Sequence, residues 1–444
     1  MKKIFIYITT ILIVFTSCEK LEYTTEDPNN FSDATAELMI NAPLLANAII
    51  VEGELARTAG IWSGQFTGAD RQYISLNRYI VAGADFNTIW GVLYAEGVAQ
   101  SRLLQGKAQK DNNETLEGIA MIVEANLMVQ ATALWGDVPY SEVADVENYP
   151  EPKYDAQKEV YNALLDLLDR SIVKVSDATG ESYGWETVGE ETRNTMQWAK
   201  VAHSLKARIY LHLGEYANAI SSANYGISSS SNDWLFYHQN ISNGARNLYY
   251  RFCKVKKPGY MDASDAYMRT LMQDRLDARI SYYYSGSDLD YTSSGIFYRD
   301  EDFPVITYYE TELIKAEAEL LANNNAANAL QALNNVRSYW DNRIGVGSFP
   351  AYDAADFADN AALLKEILTE KYISCYGQIE VFNDMRRTDN YIGIPLKVDA
   401  PVQKMPERFI YPQTEMNSNS NVPDIQDIFT PTSVNTGTYP GSSL

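Results

Sequence analysis

Trp62, Tyr73 and Tyr79 lie close together in the chain, with Gln65, Arg71 and Asn77 among them. An aromatic ring offers an apolar face, and amide or guanidinium groups beside it offer hydrogen bonds. That combination suits stacking on a flat ligand with polar edges. Trp234 opens a second aromatic stretch that runs through Phe236, Tyr249, Tyr260, Tyr282 and Tyr298. Trp62, Tyr73 and Trp234 are therefore the candidate stacking residues, with Arg71 and Asn77 as hydrogen-bond partners. Tyr numbers 32, against 14 Phe and 7 Trp. A core gains nothing from a hydroxyl that needs its own partner when buried, so this bias predicts many half-exposed rings. The competing reading for any one ring is an anchor that fixes its loop to a helix.

Other chemistry is scarce. The three histidines, His203, His212 and His238, lack metalloprotease spacing. No nucleophile elbow, phosphate-binding loop or dinucleotide fingerprint occurs. Asp288 and Asp290 begin like a calcium loop, but Ser293 stands where that motif needs Gly. Glu310, Glu312, Glu317 and Glu319 crowd one stretch, and a glycosidase needs only two carboxylates. Glu317 and Glu319 are two apart and point in different directions, so the stretch reads as a solvated helix face. The expectation is binding without catalysis, metal or cofactor.

The elements that must position these residues are mostly helical. Glu117 to Leu134 carries apolar residues at helical spacing, and Gly136 to Pro139 stops it. Asp155 caps a second helix over Ala156 to Val175. Thr195 to Leu213 pairs with Glu215 to Ile227 around Gly214, Tyr309 to Leu321 with Ala326 to Trp340, and Ala361 to Tyr376 with Gln378 to Arg387. The pair around Gly214 has the small and aromatic positions of a tetratricopeptide hairpin, with Ala207, Ala217 and Ala219 allowing close approach. Four such hairpins form a scaffold. Two long excursions interrupt it, residues 60–85 and residues 228–304, and excursions of that length are usually functional.

The first residues read as a secretory signal. Lys2 and Lys3 precede an apolar run from Ile4 to Phe15, and Thr16-Ser17-Cys18 follows. The run is too short for a transmembrane helix, which needs about 20 residues. A cysteine at the cut suggests that Cys18 becomes the lipidated first residue, with Phe15 where Leu is usual. Residues 1–17 are then the signal, and 18–444 one domain. The formal charge is −22. A surface this acidic repels nucleic acid and anionic headgroups, so membrane attachment would come from the lipid. Cys253 and Cys375 are too few for a disulfide framework and read as small buried hydrophobes.

Several motifs, taken in order, resemble the SusD/RagB family of outer-membrane nutrient-binding lipoproteins. They are Trp135-Gly136-Asp137-Val138-Pro139-Tyr140, the hairpin from Ala207 to Ala219, and Asp277-Ala278-Arg279-Ile280 with Ala278 in place of the family's Pro. They continue with Thr307 to Ala318, Asn334 to Arg337, Met385 to Thr388, and Arg408 to Asn417. The resemblance spans nearly the whole mature chain. It implies a helical fold of four tetratricopeptide-like pairs with a ligand-binding side built from loops. It implies a role in capturing a nutrient, usually a glycan, at the cell surface. It also implies a partner, a TonB-dependent β-barrel of the SusC type, over which the protein sits as a lid. Peptide cargo and a surface hydrolase are the competing functions. Sugars present C–H faces to aromatic rings and hydroxyls to polar groups, so the candidate residues fit this role.

Overall fold

The helix Glu114–Trp135 runs through the middle of the molecule, buried at every position from Thr115 to Trp135. It is long and apolar enough to cross a bilayer, but the protein itself surrounds it, so it is a core helix. Asn113 caps its start by accepting from the Leu116 amide at 3.0 Å. Gly136 ends it at φ 85°, in the left-handed region that favours glycine. The computed structural model describes residues 34–177, 196–241 and 246–443. Cys18 and the signal lie outside these residues.

The helical periodicity is realised as four hairpins. Glu114–Trp135 packs on Gln157–Asp177, and Met196–His212 on Tyr216–Ala223. Tyr308–Asn323 packs on Ala326–Ile344, and Asn360–Ser374 is followed by Glu380–Arg387. Side-chain caps start the later helices: Thr307 binds the Glu310 amide, Asn325 the Asn328 amide and Asp359 the Ala362 amide. Ala207, Ala219 and Ala318 share a small apolar cluster, so the second hairpin seats closely on the third. The remaining core is one buried cluster spanning Ala36 to Tyr439.

The C-terminal segment closes the first hairpin. The last carbonyls of a helix have no partner within it. Here Arg386 donates to the Ala133 carbonyl at 2.9 Å, and Arg408 donates to the Trp135 carbonyl. Trp135 donates its indole N–H to the Ile410 carbonyl at 2.8 Å, and Tyr411 its hydroxyl to the Asp137 carbonyl at 2.8 Å. Arginines planar enough to fork across several acceptors suit this task.

One expectation needs correcting. Glu310, Glu317 and Glu319 are not a solvated face; all three are buried. Arg208 grips Glu310 with two bonds of 2.7 and 2.6 Å, and Arg387 grips Glu317 with two of 2.6 Å. The tyrosine bias holds: among the described residues about as many tyrosines are half-buried as are buried. Several buried hydroxyls find backbone carbonyls: Tyr249 bonds Gly377, Tyr372 bonds Ser63 and Tyr284 bonds Gln65. A buried phenol with its bond made costs little, so Tyr can fill the seams between helices and loops. Cys253 and Cys375 are free thiols, both buried, as their sparse spacing suggested.

Candidate functional site

The two excursions meet. Strand β1 (Thr67–Gly68) of the first pairs antiparallel with β2 (Met261–Asp262) of the second, Thr67 opposite Asp262 and Gly68 opposite Met261. The Ala69 amide donates to the Tyr260 carbonyl at 2.8 Å, and the Asp265 amide to the Thr67 hydroxyl at 2.9 Å. Gly68 is required here, because a Cβ would lie 2.0 Å from the Tyr73 carbonyl oxygen. Asn77 holds the same turn by accepting from the Gly68 amide at 3.1 Å. Arg71 follows at φ 48°, a strained conformation for a residue with a side chain.

Around this junction sits a cluster of rings and cations. The Tyr73 ring lies 5.1 Å from Phe252 and 5.9 Å from Tyr260, centroid to centroid. Arg57 lies 4.0 Å over Phe252 and donates to the Tyr73 hydroxyl at 3.0 Å. Burial pushes the Tyr73 phenol up, with Arg57 opposing. Tyr260 and Phe252 are half-buried and keep part of their surface in solvent. Lys257 stands 5.3 Å from the Tyr260 centroid, and Arg71 stands 6.0 Å from it. Next to the cluster is a pocket of about 380 Å³ lined by Glu54, Thr58, Gln72, Tyr73, Ile80 and Asp85, among others. Burial pushes the Glu54 carboxyl up, Arg57 opposes this and Asp85 adds to it. Rings, hydrogen-bonding side chains and a concave wall together can hold a small polar ligand with an apolar face.

The five candidate residues divide between core and surface. Trp62 is 0% exposed, wedged between Phe382 and Phe409 at 5.6 and 5.0 Å, with its N–H on the Leu76 carbonyl. Trp234 is 3% exposed and packs edge-on against Trp198 at 5.2 Å. Neither ring has a free face, so both are anchors and not a stacking platform. Tyr73 is 5% exposed; it lines the pocket but offers it little area. The Arg71 side chain is 70% exposed and belongs to the cluster. Asn77 is tied to the Gly68 amide. Sequence reasoning missed Tyr260, Phe252, Arg57 and Lys257 as a group. The signal that could have found the last part is the run Arg251 to Tyr260, where cations and rings interleave.

Two other pockets lie elsewhere among the described residues. One of about 430 Å³ is walled by Trp90, Tyr94, Pro139 and Tyr149. Another of about 390 Å³ is lined by Asp233, Tyr282, Glu301, Tyr339 and Arg343. Arg343 there is bound to Glu301 at 2.6 Å and to the Tyr282 hydroxyl at 2.8 Å. Neither pocket joins the two excursions.

Solved structures share the fold. A SusD/RagB family protein from Bacteroides thetaiotaomicron superposes with a TM-score of 0.71 at 18% identity, over 91% of this chain and 100% of its own. A SusD homologue from Bacteroides fragilis gives 0.69 at 16% identity, over 91% and 100%. A chitin-binding SusD homologue from Flavobacterium johnsoniae gives 0.70 at 17% identity, over 91% and 98%. No curated protein matches the sequence. A model of the SusD-like family, described as starch-binding and associating with the outer membrane, matches residues 28–412. That span is most of the chain, and the chain belongs to the SusD-like family.

Proposed function

We propose that this protein captures glycan at the cell surface and passes it to a TonB-dependent outer-membrane transporter of the SusC type. It is held to the membrane by lipid on Cys18, and it works by binding without turnover. The observation that carries this reading is the half-exposed Tyr260, flanked by Lys257 and Arg71 at the junction of both excursions. A sugar's C–H face fits the ring, and its hydroxyls fit the neighbouring donors and the Glu54 and Asp85 carboxylates. The starch-binding description of the family and the chitin-binding relative support a saccharide as cargo. Each stacked ring contributes about 1 kcal/mol. One or two rings thus give weak, reversible binding, which suits a protein that must hand its ligand on.

The test is calorimetric titration of the mature protein with oligosaccharides, both neutral and charged. Wild type should bind at least one of them. Tyr260→Ala should weaken that binding about fivefold, since about 1 kcal/mol is a factor of about five. Absence of binding to every glycan offered would remove the proposal, as would new reducing ends released faster than by a heat-killed control.

A further inference from the structure

The chain carries a formal charge of −22, yet one segment reverses the sign. From Gln239 to Met261 there is no Asp or Glu, and Arg246, Arg251, Lys254, Lys256 and Lys257 fall within it. The fold displays these cations. Leu248–Tyr250 continues into a wide π turn over Arg251–Lys256, a distortion often found at functional sites. Arg251, Lys254, Lys256 and Lys257 are exposed, Cys253 points inward, and Phe252 and Tyr260 are half-buried between them. Lys254 lies 4.5 Å from the Tyr291 centroid, and Arg246 lies 6.0 Å from that of Tyr250. Arg71 joins the ledge from the other excursion through its contact with Tyr260.

The carboxylates near this ledge are few. Asp70 stands 3.7 Å from Arg71, and Asp288 stands 3.1 Å from Lys254. Asp262 is turned to the Ser264 amide and hydroxyl. Both ion pairs are exposed, so each is weak and yields readily to a ligand. Among the described residues Arg251, Lys256 and Lys257 have no carboxylate partner. Like charges crowded this way repel one another, and among the described residues the two exposed pairs with Asp70 and Asp288 offset it only in part. A neutral glycan would not offset the rest.

We infer that the glycan taken at this site is an acidic polysaccharide, whose carboxylate or sulfate groups pair with the ledge while a sugar face lies on Tyr260. This rests on the proposed glycan-binding role. Glu54 and Asp85 line the adjoining pocket, so an uncharged part of the sugar chain belongs there and the anionic groups belong over the lysines. The net acidic charge of the chain repels a polyanion elsewhere, which steers it to this cationic strip. A lipid surface asks for charge alone. The rings interleaved with the lysines are what a sugar needs.

Affinity electrophoresis separates the alternatives. The mature protein is run through gels holding polygalacturonate, chondroitin sulfate, amylose or glycol chitin. Retardation is expected with at least one of the two acidic polymers, falling about tenfold in affinity between ~50 and ~500 mM NaCl. The triple variant Lys254→Gln, Lys256→Gln, Lys257→Gln should lose about tenfold. A control with Lys158→Gln, Lys365→Gln and Lys404→Gln, which removes the same charge elsewhere, should behave as wild type. Retardation by neutral polymers only, unchanged in the triple variant, overturns the inference and leaves the glycan-binding role standing. No retardation by any polymer removes both. If the triple variant loses sedimentation with phosphatidylglycerol vesicles and keeps its glycan affinity, the ledge is a lipid contact and the inference falls.

Discussion

Arg387 and Glu317 meet side by side, with two guanidinium N–H groups on the two carboxylate oxygens at 2.6 Å each. They lie 70 residues apart in the chain and join the third hairpin to the fourth. Asp384 takes a further N–H of Arg387 at 2.7 Å, and the Tyr439 hydroxyl donates to Glu317 at 2.7 Å. The side chains are buried, and both carboxylate oxygens and all three guanidinium nitrogens are hydrogen-bonded, which offsets the cost of desolvation.

Removing one partner leaves the other charge buried and alone. Arg387→Ala should cost about 3–5 kcal/mol of stability. Thermal unfolding should show it as a large drop in melting temperature, while glycan affinity per folded molecule stays at the wild-type value. Lost binding with normal melting would mean that Arg387 belongs to the ligand site instead.

This pair also marks what sequence could and could not reveal. The hairpins were legible because periodicity is local: Ala156 to Val175 became Gln157–Asp177, and Ala326 to Trp340 became Ala326–Ile344. The partners of Glu310 and Glu317 are Arg208 and Arg387, separated from them by 102 and 70 residues. Spacing within one helix cannot see them, so the carboxylates looked solvated. Trp62 misled for the same reason, since the rings that enclose it are Phe382 and Phe409. The two excursions could be recognised as long and aromatic. Which ring stays half-exposed depends on the pairing of β1 with β2, and no local pattern encodes that.

Trp62 and Tyr260 should therefore give opposite phenotypes. Trp62→Ala opens a cavity beside Phe382 and Phe409 and should cost about 3–5 kcal/mol. Its binding per folded molecule should hold. Tyr260→Ala should leave the melting temperature within a degree or two and weaken glycan binding instead. Unfolding curves and titrations on the same two preparations check this. Normal stability in Trp62→Ala, or a large loss of stability in Tyr260→Ala, would reverse the assignment of anchor and platform.

Stability should depend on pH from two directions. Burial pushes the Glu380 carboxyl up, but Arg208 and His212 outweigh it and hold it well below the usual range. Arg279 does the same for Asp277, and Lys371 with Arg387 for Asp384, again against burial. A depressed carboxyl stabilises the fold above its unfolded pKa, and the contribution is lost as pH falls through the folded value. The protein should thus weaken steeply in acid. Glu407 acts the other way, because burial raises it from 4.5 to about 7 against Arg386. Its contribution is present below pH 4.5 and lost as pH rises to about 7. Melting temperatures across this range should decline for wild type and stay flatter for Glu407→Gln. Identical profiles would place Glu407 in contact with water in solution.

Cys18 is the remaining test, and it concerns how the protein reaches its place of work. Lys2 and Lys3, the apolar run and the small residues before Cys18 have the layout of a signal that ends at a modified cysteine. The net charge of −22 opposes an electrostatic hold on an anionic membrane. The buried helix Glu114–Trp135 is committed to the core and cannot serve as an anchor. On the proposed reading attachment is by lipid, and stable anchoring takes more than one acyl chain. Cys18→Ala should move the protein from the membrane fraction to the soluble one and remove the lipid mass from its N-terminal peptide. Its glycan affinity should not change, because the ring and cation cluster is built from residues 57–85 and 246–291. A Cys18→Ala protein that stays with the membrane at unchanged mass would show that another contact holds it there.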